Sequence, residues 1–423
     1  GWKCDNVRAA YSEISQDTQN EVYAGARAFV QANKGRYKCG GYIYTGERQD
    51  LGQFWAELNV GNAKVKKTTA NEIVTNGNAM YSIVGATFGI FLDQNCSNQI
   101  GTLTTNENGD TNEGEVTAGT VYIKELSAPK GYKLDTTVRS LKVEAGKTAV
   151  LNVSDVPKVT ETLVDLFKID METGKATAQG DAALAGAEFT WHYYDGLYTK
   201  DNLPEKATRT WVTKTVAEKD SDGNSHYVTK LTDAYKVSGD AFYTQNEKSV
   251  LPLGTLNVEE TKAPDGYLLD GAYMQAGDSA EQIQGMYLTQ ITEDGELAVL
   301  SGSNQYSVSD QVIRGGVKIQ KRDLETKDIK AQGSATLKDT GFAIISLNEN
   351  PVLVEGKLYK KNETVKTIQT GIDGIATTSA DLLPYGKYKL EETKAPEGYL
   401  TDGAKAIEFS ITENGKIVDL TDE

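Results

Sequence analysis

Apolar and polar residues alternate along most of the chain with the two-residue period of a β-strand. Examples are the runs TAVLNVSD at 148–155, YKLEET at 388–393 and AIEFSIT at 406–412. Asp-Gly pairs at 222–223 and 373–374, and an Asn-Gly pair at 414–415, are typical of tight turns between strands. Helical periodicity is not sustained beyond about residue 60. The pattern therefore predicts an all-β fold for residues 61–423.

The first 60 residues have a helical pattern instead. Val7, Tyr11 and Ile14 recur at helical spacing, and a second helix is predicted from Ser15 to Asn33. The residues expected on the inner face of that helix are Val22, Ala26, Phe29 and Val30. A strand is predicted at 41–45, before an apolar stretch at 54–58. We interpret residues 1–60 as a short mixed α/β segment, the tail of a larger upstream domain.

Three sequence elements recur in the same order along the rest of the chain. The first reads AKVKKTT at 63–69, VDLFKID at 164–170 and VKIQKRD at 317–323. The second, a strand end and a turn, reads KELSAPKGYKLD at 124–135, EETKAPDGYLLD at 259–270 and EETKAPEGYLTD at 391–402. The third reads LNVSD at 151–155, YSVSD at 306–310 and VDLTD at 418–422. The repeats predict three tandem modules, each a β-sandwich, at 61–158, 159–314 (with an insertion) and 315–423.

One lysine, one glutamate and one aspartate of each module fall on the apolar face of their strands. Side chains two positions apart on a strand lie on the same face. Lys67, for example, follows Val65 and Ala63 at that spacing. The full set is Lys67, Glu125 and Asp155; Lys168, Glu260 and Asp310; and Lys321, Glu392 and Asp422. All nine side chains are predicted to point into the cores.

A buried trio of this kind has a chemical interpretation. An isolated buried charge is costly, and burial favours the neutral forms of an amine and of a carboxyl group. A neutral amine is a nucleophile, a protonated aspartate is an electrophile, and a nearby glutamate can move protons between them. The expected product is an amide bond, formed once per module with loss of water. The alternative is a buried ion network that never reacts.

The E-T-K-A-P-x-G-Y box, the K-x-D strand and the LAGAEF phrase at 184–189 resemble those of CnaB-type, SpaA-like domains of Gram-positive adhesins and pilins. This resemblance implies that each module is an Ig-like or prealbumin-like β-sandwich. The resemblance covers about residues 61–423. It implies an intramolecular bond between the lysine and the terminal aspartate of each trio, assisted by the box glutamate. GATF at 85–88 also fits the third phrase, whereas the last module offers only GFAI at 341–344.

The first module departs from the family pattern. Thr69 stands where the K-x-D strand has its acid, and Lys66 stands beside Lys67. Asn152 is a rival acceptor, although strand parity places it on the opposite face from Asp155. Lys67 is therefore the least secure member of the nine.

The resemblance implies a structural stalk or shaft of a Gram-positive surface protein, extracellular and anchored to the cell wall as part of a longer chain. On this reading the protein is no enzyme, apart from a single self-crosslinking turnover, and it needs no cofactor. The alternative is an adhesin fragment that binds a host matrix protein or glycan through the N-terminal segment or the insertion at 191–250. That insertion carries the aromatic residues Trp191, Tyr193, Tyr194, Tyr198 and Trp211, which are either a binding surface or sandwich core.

Charge and composition exclude several other classes of function. The net charge of −16 is unsuited to nucleic acid or to an anionic membrane surface. No apolar run is long enough to span a bilayer, and a signal peptide and wall anchor are expected outside this sequence. The two histidines, His192 and His226, lack metal-ligand spacing.

The three cysteines leave two questions open. Cys4 and Cys39 either pair, leaving Cys96 free, or all three are thiols. Residues 18–33 with GQFW at 52–55 faintly resemble the end of a thioester adhesion domain, in which Gln19 would be the glutamine. Only Cys4 precedes Gln19 here, whereas the family's cysteine lies much further upstream.

Overall fold

The computed structural model describes residues 15–44, 51–161, 166–276, 282–284, 286–294 and 306–422. The chain divides into two compact units. Unit 1 comprises Gly1–Glu72 and Tyr81–Pro157, and unit 2 comprises Ile73–Met80 and Lys158–Glu423. The described part is mostly β-structure, which confirms the predicted all-β fold class.

The N-terminal segment contains one helix and a β-hairpin. Helix α1 spans Gln16–Ala32, and the Ser15 hydroxyl accepts a hydrogen bond from the Thr18 N–H as its N-cap. Strands β1 (Tyr37–Tyr44) and β2 (Leu51–Leu58) pair antiparallel. The second predicted helix is thus confirmed, whereas the helix predicted around Val7 lies outside the described residues.

The predicted inner face of α1 is wrong. Val22, Phe29 and Val30 are 66%, 59% and 67% exposed. Among the described residues, the ring contact of Phe29 is with Tyr37, at a centroid separation of 6.3 Å. The apolar spacing gave the helix correctly, but burial depends on a packing partner that periodicity does not supply.

The first module is a sandwich of a three-stranded and a four-stranded sheet around one apolar cluster. The smaller sheet has the order β6-β3-β9 and the larger β5-β4-β7-β8. The short helix α2 (Glu72–Thr75) follows β3. The strands are β3 Val60–Thr69, β4 Thr87–Phe91, β5 Gln99–Thr104, β6 Gly114–Thr117, β7 Gly119–Ser127, β8 Arg139–Val143 and β9 Thr148–Asp155.

The second module has a six-stranded sheet (β14-β15-β11-β23-β20-β21) and a five-stranded sheet (β16-β13-β12-β19-β22), with a small sheet β10-β18-β17. Its first strands are β10 Val159–Glu161, β11 Leu166–Asp170, β12 Glu188–Tyr194, β13 Arg209–Lys214, β14 Val216–Lys219, β15 Ser225–Thr229, β16 Lys236–Gly239 and β17 Tyr243–Gln245. The others are β18 Lys248–Pro252, β19 Gly254–Lys262, β20 Tyr267–Ala276, β21 Gln282–Gln284, β22 Met286–Ile291 and β23 Tyr306–Val312.

The third module is built around strand β24, which pairs with β29, β30 and β33, and a second sheet of order β28-β25-β31-β32. A hairpin of β26 and β27 completes it, and one apolar cluster fills the interior. The strands are β24 Arg314–Gln320, β25 Gly341–Ser346, β26 Val352–Val354, β27 Lys357–Tyr359, β28 Thr364–Gln369, β29 Ile375–Thr377, β30 Leu383–Pro384, β31 Gly386–Lys394, β32 Ile407–Ile411 and β33 Ile417–Leu420.

Four of the five aromatic residues named in the insertion belong to the sandwich core, whereas Tyr198 is only partly buried. Trp191, Tyr193 and Trp211 are fully buried, and Tyr194 is nearly so. The Trp191 indole N–H donates to the Thr213 hydroxyl at 2.7 Å, which satisfies its polar group inside the core. The interpretation of these four residues as an exposed ligand surface is therefore wrong, and the core interpretation is confirmed.

Candidate functional site

In the second module, Lys168 lies between two buried carboxyl groups. Its Nζ is 2.6 Å from Glu260 Oε2 and 2.5 Å from Asp310 Oδ1. The side chains of Lys168 and Asp310 are fully buried, and that of Glu260 is 2% exposed. The structure thus brings together all three members of this predicted trio.

The first module repeats this arrangement in unit 1. Lys67 Nζ contacts Glu125 Oε1 and lies 2.5 Å from Asp155 Oδ2, with all three side chains buried. The second oxygen of Glu125 accepts the Asp135 backbone N–H at 2.8 Å, which fixes the carboxyl group in the plane of the site. Lys67 is therefore the inward lysine of its strand.

The rival residues of the first module point away from this core. Lys66 is partly exposed, and its Nζ pairs with Asp110 at 3.1 Å. Asn152 is exposed on the outer face of β9. The alternation of a strand accounts for both, because neighbouring residues face opposite sides.

In each of these two modules the strand that carries the lysine and the strand that carries the aspartate run parallel and adjacent, and their register sets the position of the aspartate. Strand β3 pairs with β9 so that Thr69 lies opposite Asp155. Strand β11 pairs with β23 so that Asp170 lies opposite Asp310. In both cases the aspartate is opposite the residue two positions beyond the lysine, on the same face of the sheet. The backbone N–H three positions beyond the lysine donates to the backbone carbonyl of the aspartate. Ala70 donates to Asp155 at 2.8 Å, and Met171 donates to Asp310 at 3.0 Å.

The glutamate comes from the facing sheet, opposite a phenylalanine. Antiparallel pairing places Phe88 against Glu125 and Phe189 against Glu260, at a register shift in each pair of strands. The lysine amine lies over the same ring, 4.8 Å from the Phe88 centroid and 6.0 Å from that of Phe189. The aromatic face stabilises a cation that would otherwise lie in an apolar core.

Burial shifts the titration of the acids in these sites. Burial, assisted by the charge of Asp310 and opposed by Lys168, raises the pKa of Glu260 to about 8. Burial also raises the pKa of Asp310, against the opposing attraction of Lys168. In the first module burial raises the pKa of Glu125, against its bond with Lys67. The raised pKa favours the protonated form of Glu260, which suits an acid that exchanges protons with its neighbours.

The third trio is incomplete. Lys321 Nζ lies 2.7 Å from Glu392 Oε2, and Phe342 pairs with Glu392 as its counterparts do in the other modules. Asp422, however, is fully exposed, and its Oδ1 pairs with Arg322 Nη2 at 3.2 Å. Lys321 is 16% exposed and lines a cleft of about 580 Å³. The prediction that Asp422 points into the core beside Lys321 is therefore wrong.

An offset of two residues explains the position of Asp422. Strand β33 pairs with β24 so that Ile319 lies opposite Leu420. In this register Asp422 falls opposite Lys321. The acceptor position, which lies opposite Asp323, is position 424, one residue beyond Glu423. The Gly-Lys turn before the last strand leads to the same acceptor position. Asp155 follows Gly146 by nine residues, and the position nine residues after Gly415 is again 424. Matching VDLTD to LNVSD was thus misleading, and spacing from the turn would have found the offset.

A second buried network beside the site was missed at the sequence level. Asp170 accepts hydrogen bonds from the Tyr267 hydroxyl at 2.8 Å and from the Gln179 amide at 3.1 and 3.2 Å. In the third module Asp323 accepts the Tyr399 hydroxyl at 2.8 Å and the Gln332 amide at 3.0 Å. The tyrosines belong to the box, and the aspartates end the K-x-D motif. The motif acid therefore anchors the box turn to the first strand.

The number of residues between the lysine and the phenylalanine that faces the glutamate corrects the phrase assigned to the third module. Phe88, Phe189 and Phe342 each stand 21 residues after the lysine of their module. The counterpart of GATF and GAEF is therefore DTGF at 339–342, rather than GFAI. Asp339 takes a φ of 61°, close to the 82° and 88° of the first glycines of the other two phrases, Gly85 and Gly186. The turn before the strand is thus kept although its glycine is not.

The candidate cysteine chemistry lies mostly beyond the described residues. Cys39 is an exposed free thiol and Cys96 a partly buried one in the described part of the chain. Cys4 lies outside it, so neither the Cys4–Cys39 pairing nor a thioester with Gln19 is tested. Over the described ranges, no group of three metal-ligating side chains is present, and no helix is long and apolar enough to cross a membrane.

Comparison with known proteins gives a family match and several weak structural similarities. The model of the SpaA prealbumin-like fold domain matches residues 61–157 and 318–423. No curated protein sequence is detectably similar to the chain. Among solved structures, the Bacillus anthracis TIE protein is 23% identical with a TM-score of 0.48, covering 90% of this chain and 57% of its own. This chain thus spans little more than half the length of that protein.

Two further structures are more distant. BcpA, the major pilin subunit of Bacillus cereus, is 17% identical with a TM-score of 0.29, covering 86% of this chain and 98% of its own. The C-terminal fragment of the pilus adhesin SpaC from Lactobacillus rhamnosus GG is 18% identical with a TM-score of 0.30, covering 60% and 97%. These scores are too low to transfer a function. The family match agrees with the repeated box and lysine strand: residues 61–157 and 318–423 of this chain are similar to the SpaA prealbumin-like fold domain.

Proposed function

We propose that this chain is a stalk segment of a Gram-positive surface protein, and that its first and second modules close themselves with Lys–Asp amide bonds. The observation that carries the proposal is the enclosure of Lys67 and Lys168 between two buried carboxyl groups, each 2.5 Å from its aspartate. The bonded pairs are Lys67–Asp155 and Lys168–Asp310. Glu125 and Glu260 are the catalytic residues, since each contacts the reacting amine.

The proposed reaction is a condensation within a closed site. The neutral lysine Nζ adds to Cγ of the protonated aspartate, the new N–C bond forms, and the C–O bond to the aspartate hydroxyl breaks so that this oxygen leaves as water. The neighbouring glutamate passes a proton from the nitrogen to the departing oxygen, a role that suits the raised pKa values of Glu125 and Glu260. Fixed proximity lowers the barrier, as in the best intramolecular reactions, where it contributes about 7–11 kcal/mol. The product removes two opposite charges from a core that solvates neither.

The placement of the bonds suits a load-bearing role. Each would join the lysine strand, near the start of its module, to the aspartate strand at the end of the module. A pull on the chain would then pass from Lys67 to Asp155 through covalent bonds and spare the strands between them. A surface stalk that meets shear is the setting in which such a bypass matters. The protein would act on itself once and turn over no substrate.

The mass of the intact chain tests the proposal. We expect the full chain to weigh two water molecules less than its sequence. The Glu125→Ala and Glu260→Ala variants should each recover one of them. Glu392→Ala is the matched control, because its trio lacks an acceptor and its mass should change only by the substitution. An unmodified mass for the parent chain would refute the proposal.

The register of the third module gives a separate prediction. Replacing Asp422 by alanine should leave the deficit at two waters, since its side chain is exposed and paired with Arg322. Extending the chain so that an aspartate occupies position 424 should add a third lost water, because that position lies opposite Asp323. An extension with alanine at 424 is the control. A third water lost from the unextended chain, and restored by Asp422→Ala, would show that the register is wrong.

A further inference from the structure

Within unit 2, a turn of the third module rests on a loop of the second. The turn is Tyr385–Gly386, which precedes the box strand β31. Asp181 donates its backbone N–H to the Tyr385 carbonyl at 3.3 Å, and the Asn350 amide donates to the Gly180 carbonyl at 3.0 Å. The Leu353 N–H donates to Gln179 Oε1 at 2.8 Å. The contact is thus held largely by backbone groups.

Two glycines make room for this turn. Gly180 has a φ of 59°, and a Cβ there would meet the Tyr385 carbonyl oxygen at 2.0 Å. Gly266 has a φ of 83°, and a Cβ there would meet the Tyr385 ring at 2.9 Å. Ala182 packs in the same buried cluster with Tyr385 beside it. Small residues on this face therefore match the approach of a bulky turn.

An arginine in the connection between the modules locks them together. Arg314 Nε and Nη2 lie 2.7 and 2.8 Å from the two carboxyl oxygens of Glu172. The same guanidinium donates to the carbonyls of Leu353 at 2.6 Å and Leu382 at 2.8 Å. A planar fork that spans both modules fixes their orientation more tightly than a single lysine would. We call the occupied surface the second-module face; its residues are Glu172, Gln179, Gly180, Ala182 and Gly266.

Each module has an amide side chain at the same distance in sequence after its lysine. Asn78, Gln179 and Gln332 each stand eleven residues after the lysine of their module. Asn78, in the part of unit 2 formed by Ile73–Met80, donates to the Leu253 carbonyl at 2.9 Å. Leu253 precedes Gly254 just as Tyr385 precedes Gly386. In the second module the two residues that follow this amide, Gly180 and Asp181, meet the residue-glycine turn Tyr385–Gly386, while Gln179 itself accepts the Leu353 N–H.

The third module carries the same face, and no turn from the described part of the chain lies on it. We call this the third-module face; its residues are Glu325, Gln332, Gly333, Ala335 and Gly398. Gly333 has a φ of 57°, and no described atom lies within 4 Å of a Cβ built there. Gly398 has a φ of 88° and meets Ala335 Cβ at 2.6 Å, the distance at which Gly266 meets Ala182. Beside the face, Leu324 and Leu400 are 60% and 80% exposed.

We propose that the third-module face docks the residue-glycine turn of a further prealbumin-like module that follows in the same polypeptide. The path of the chain favours this occupant. Only Gln311–Ile313 separate the acceptor Asp310 from Arg314. Because this connection is so short, the third module begins beside the second-module face and packs against it. Glu325, which accepts the Gln332 amide at 3.2 Å as Glu172 accepts that of Gln179, would receive the arginine of the new connection. This inference does not depend on the amide chemistry.

Disulfide trapping in an extended chain tests the proposal. The full chain is followed by a second copy of residues 310–423, which supplies the connection, the arginine and the turn. All three native cysteines are replaced by serine. Ser334→Cys in the original module is combined with Lys387→Cys in the appended copy, since Lys387 Nζ lies 3.5 Å from Asp181, the counterpart of Ser334. We expect this pair to oxidise as completely as the reference pair Asp181→Cys with Lys387→Cys in the unextended chain.

Two controls test whether the docked turn belongs to the appended copy or to a separate chain. Lys361→Cys, at an exposed site off the face, should not be trapped by the appended Lys387→Cys. Separate chains carrying Ser334→Cys and Lys387→Cys, when mixed, should give no disulfide between them. Trapping only between separate chains would make a second copy the occupant and overturn the proposal. So would an appended copy that resists protease, and is therefore folded, yet is trapped no more than the off-face control.

Discussion

Replacing Glu260 by alanine is expected to lower the free energy of unfolding of the second module by about 5 kcal/mol. Without Glu260 no proton carrier contacts the amine, so Lys168 and Asp310 stay unlinked. The cross-link otherwise closes a loop of more than one hundred residues in the unfolded chain, and loops of that size give about 5 kcal/mol of entropic stabilisation. The buried Lys–Asp pair that remains recovers little, because its attraction is offset by desolvation. Urea unfolding, followed by the fluorescence of the buried Trp191 and Trp211, measures the change.

Glu392→Ala is the matched control for this prediction. It removes a buried glutamate that also contacts a lysine amine, but in a trio without an acceptor. Its effect should be confined to that local contact and leave the transition of the second module in place. Equal losses in both variants would mean that the glutamates stabilise only by packing and pairing, and the proposed bond would contribute nothing.

Stretching single molecules by their ends is expected to give the largest difference between linked and unlinked forms. In the parent chain the residues between Lys67 and Asp155 are bypassed, so the first module should release no length. In Glu125→Ala these 88 residues extend, which corresponds to about 300 Å at the full reach of about 3.3–3.6 Å per residue. The contour-length increments of the force–extension trace provide the measurement.

The third module is an internal reference in the same experiment. Its trio is incomplete, so it should unfold and extend in the parent chain and in every variant. The second module should lengthen only in Glu260→Ala. An increment from the first module in the parent chain, at forces that also unfold the third, would contradict the load-bearing role.

Strand parity predicted most of the candidate site because it depends on local geometry alone. A lysine two positions from a buried aliphatic residue faces the core whatever the strand pairs with, as Lys67 beside Val65 and Lys168 beside Leu166 show. Asp422 failed because its position depends on which residues of two distant strands lie opposite each other. A shift of two residues keeps the face and changes the neighbour, so parity could not detect it.

Other outcomes depended on packing that no sequence pattern specifies. Four aromatic residues of the insertion lie in the core because the five-stranded sheet carries them inward; composition alone left both interpretations open. Val22 and Val30 on α1 had the spacing of a buried face and are exposed. The Asp170–Tyr267 bond joins residues 97 apart in the chain, and only the repeat of both residue types in the third module hinted at it.

The most direct measurement is tandem mass spectrometry of a proteolytic digest of the unreduced full chain. Peptides that contain Lys168 and Asp310 should appear as one branched species, lighter than their sum by a water molecule, and so should those of Lys67 and Asp155. Lys321 should be found in a linear peptide. Linear peptides carrying unmodified Lys67 and Lys168 as the dominant forms would show that the buried trios are ion networks and that these modules hold without a covalent link.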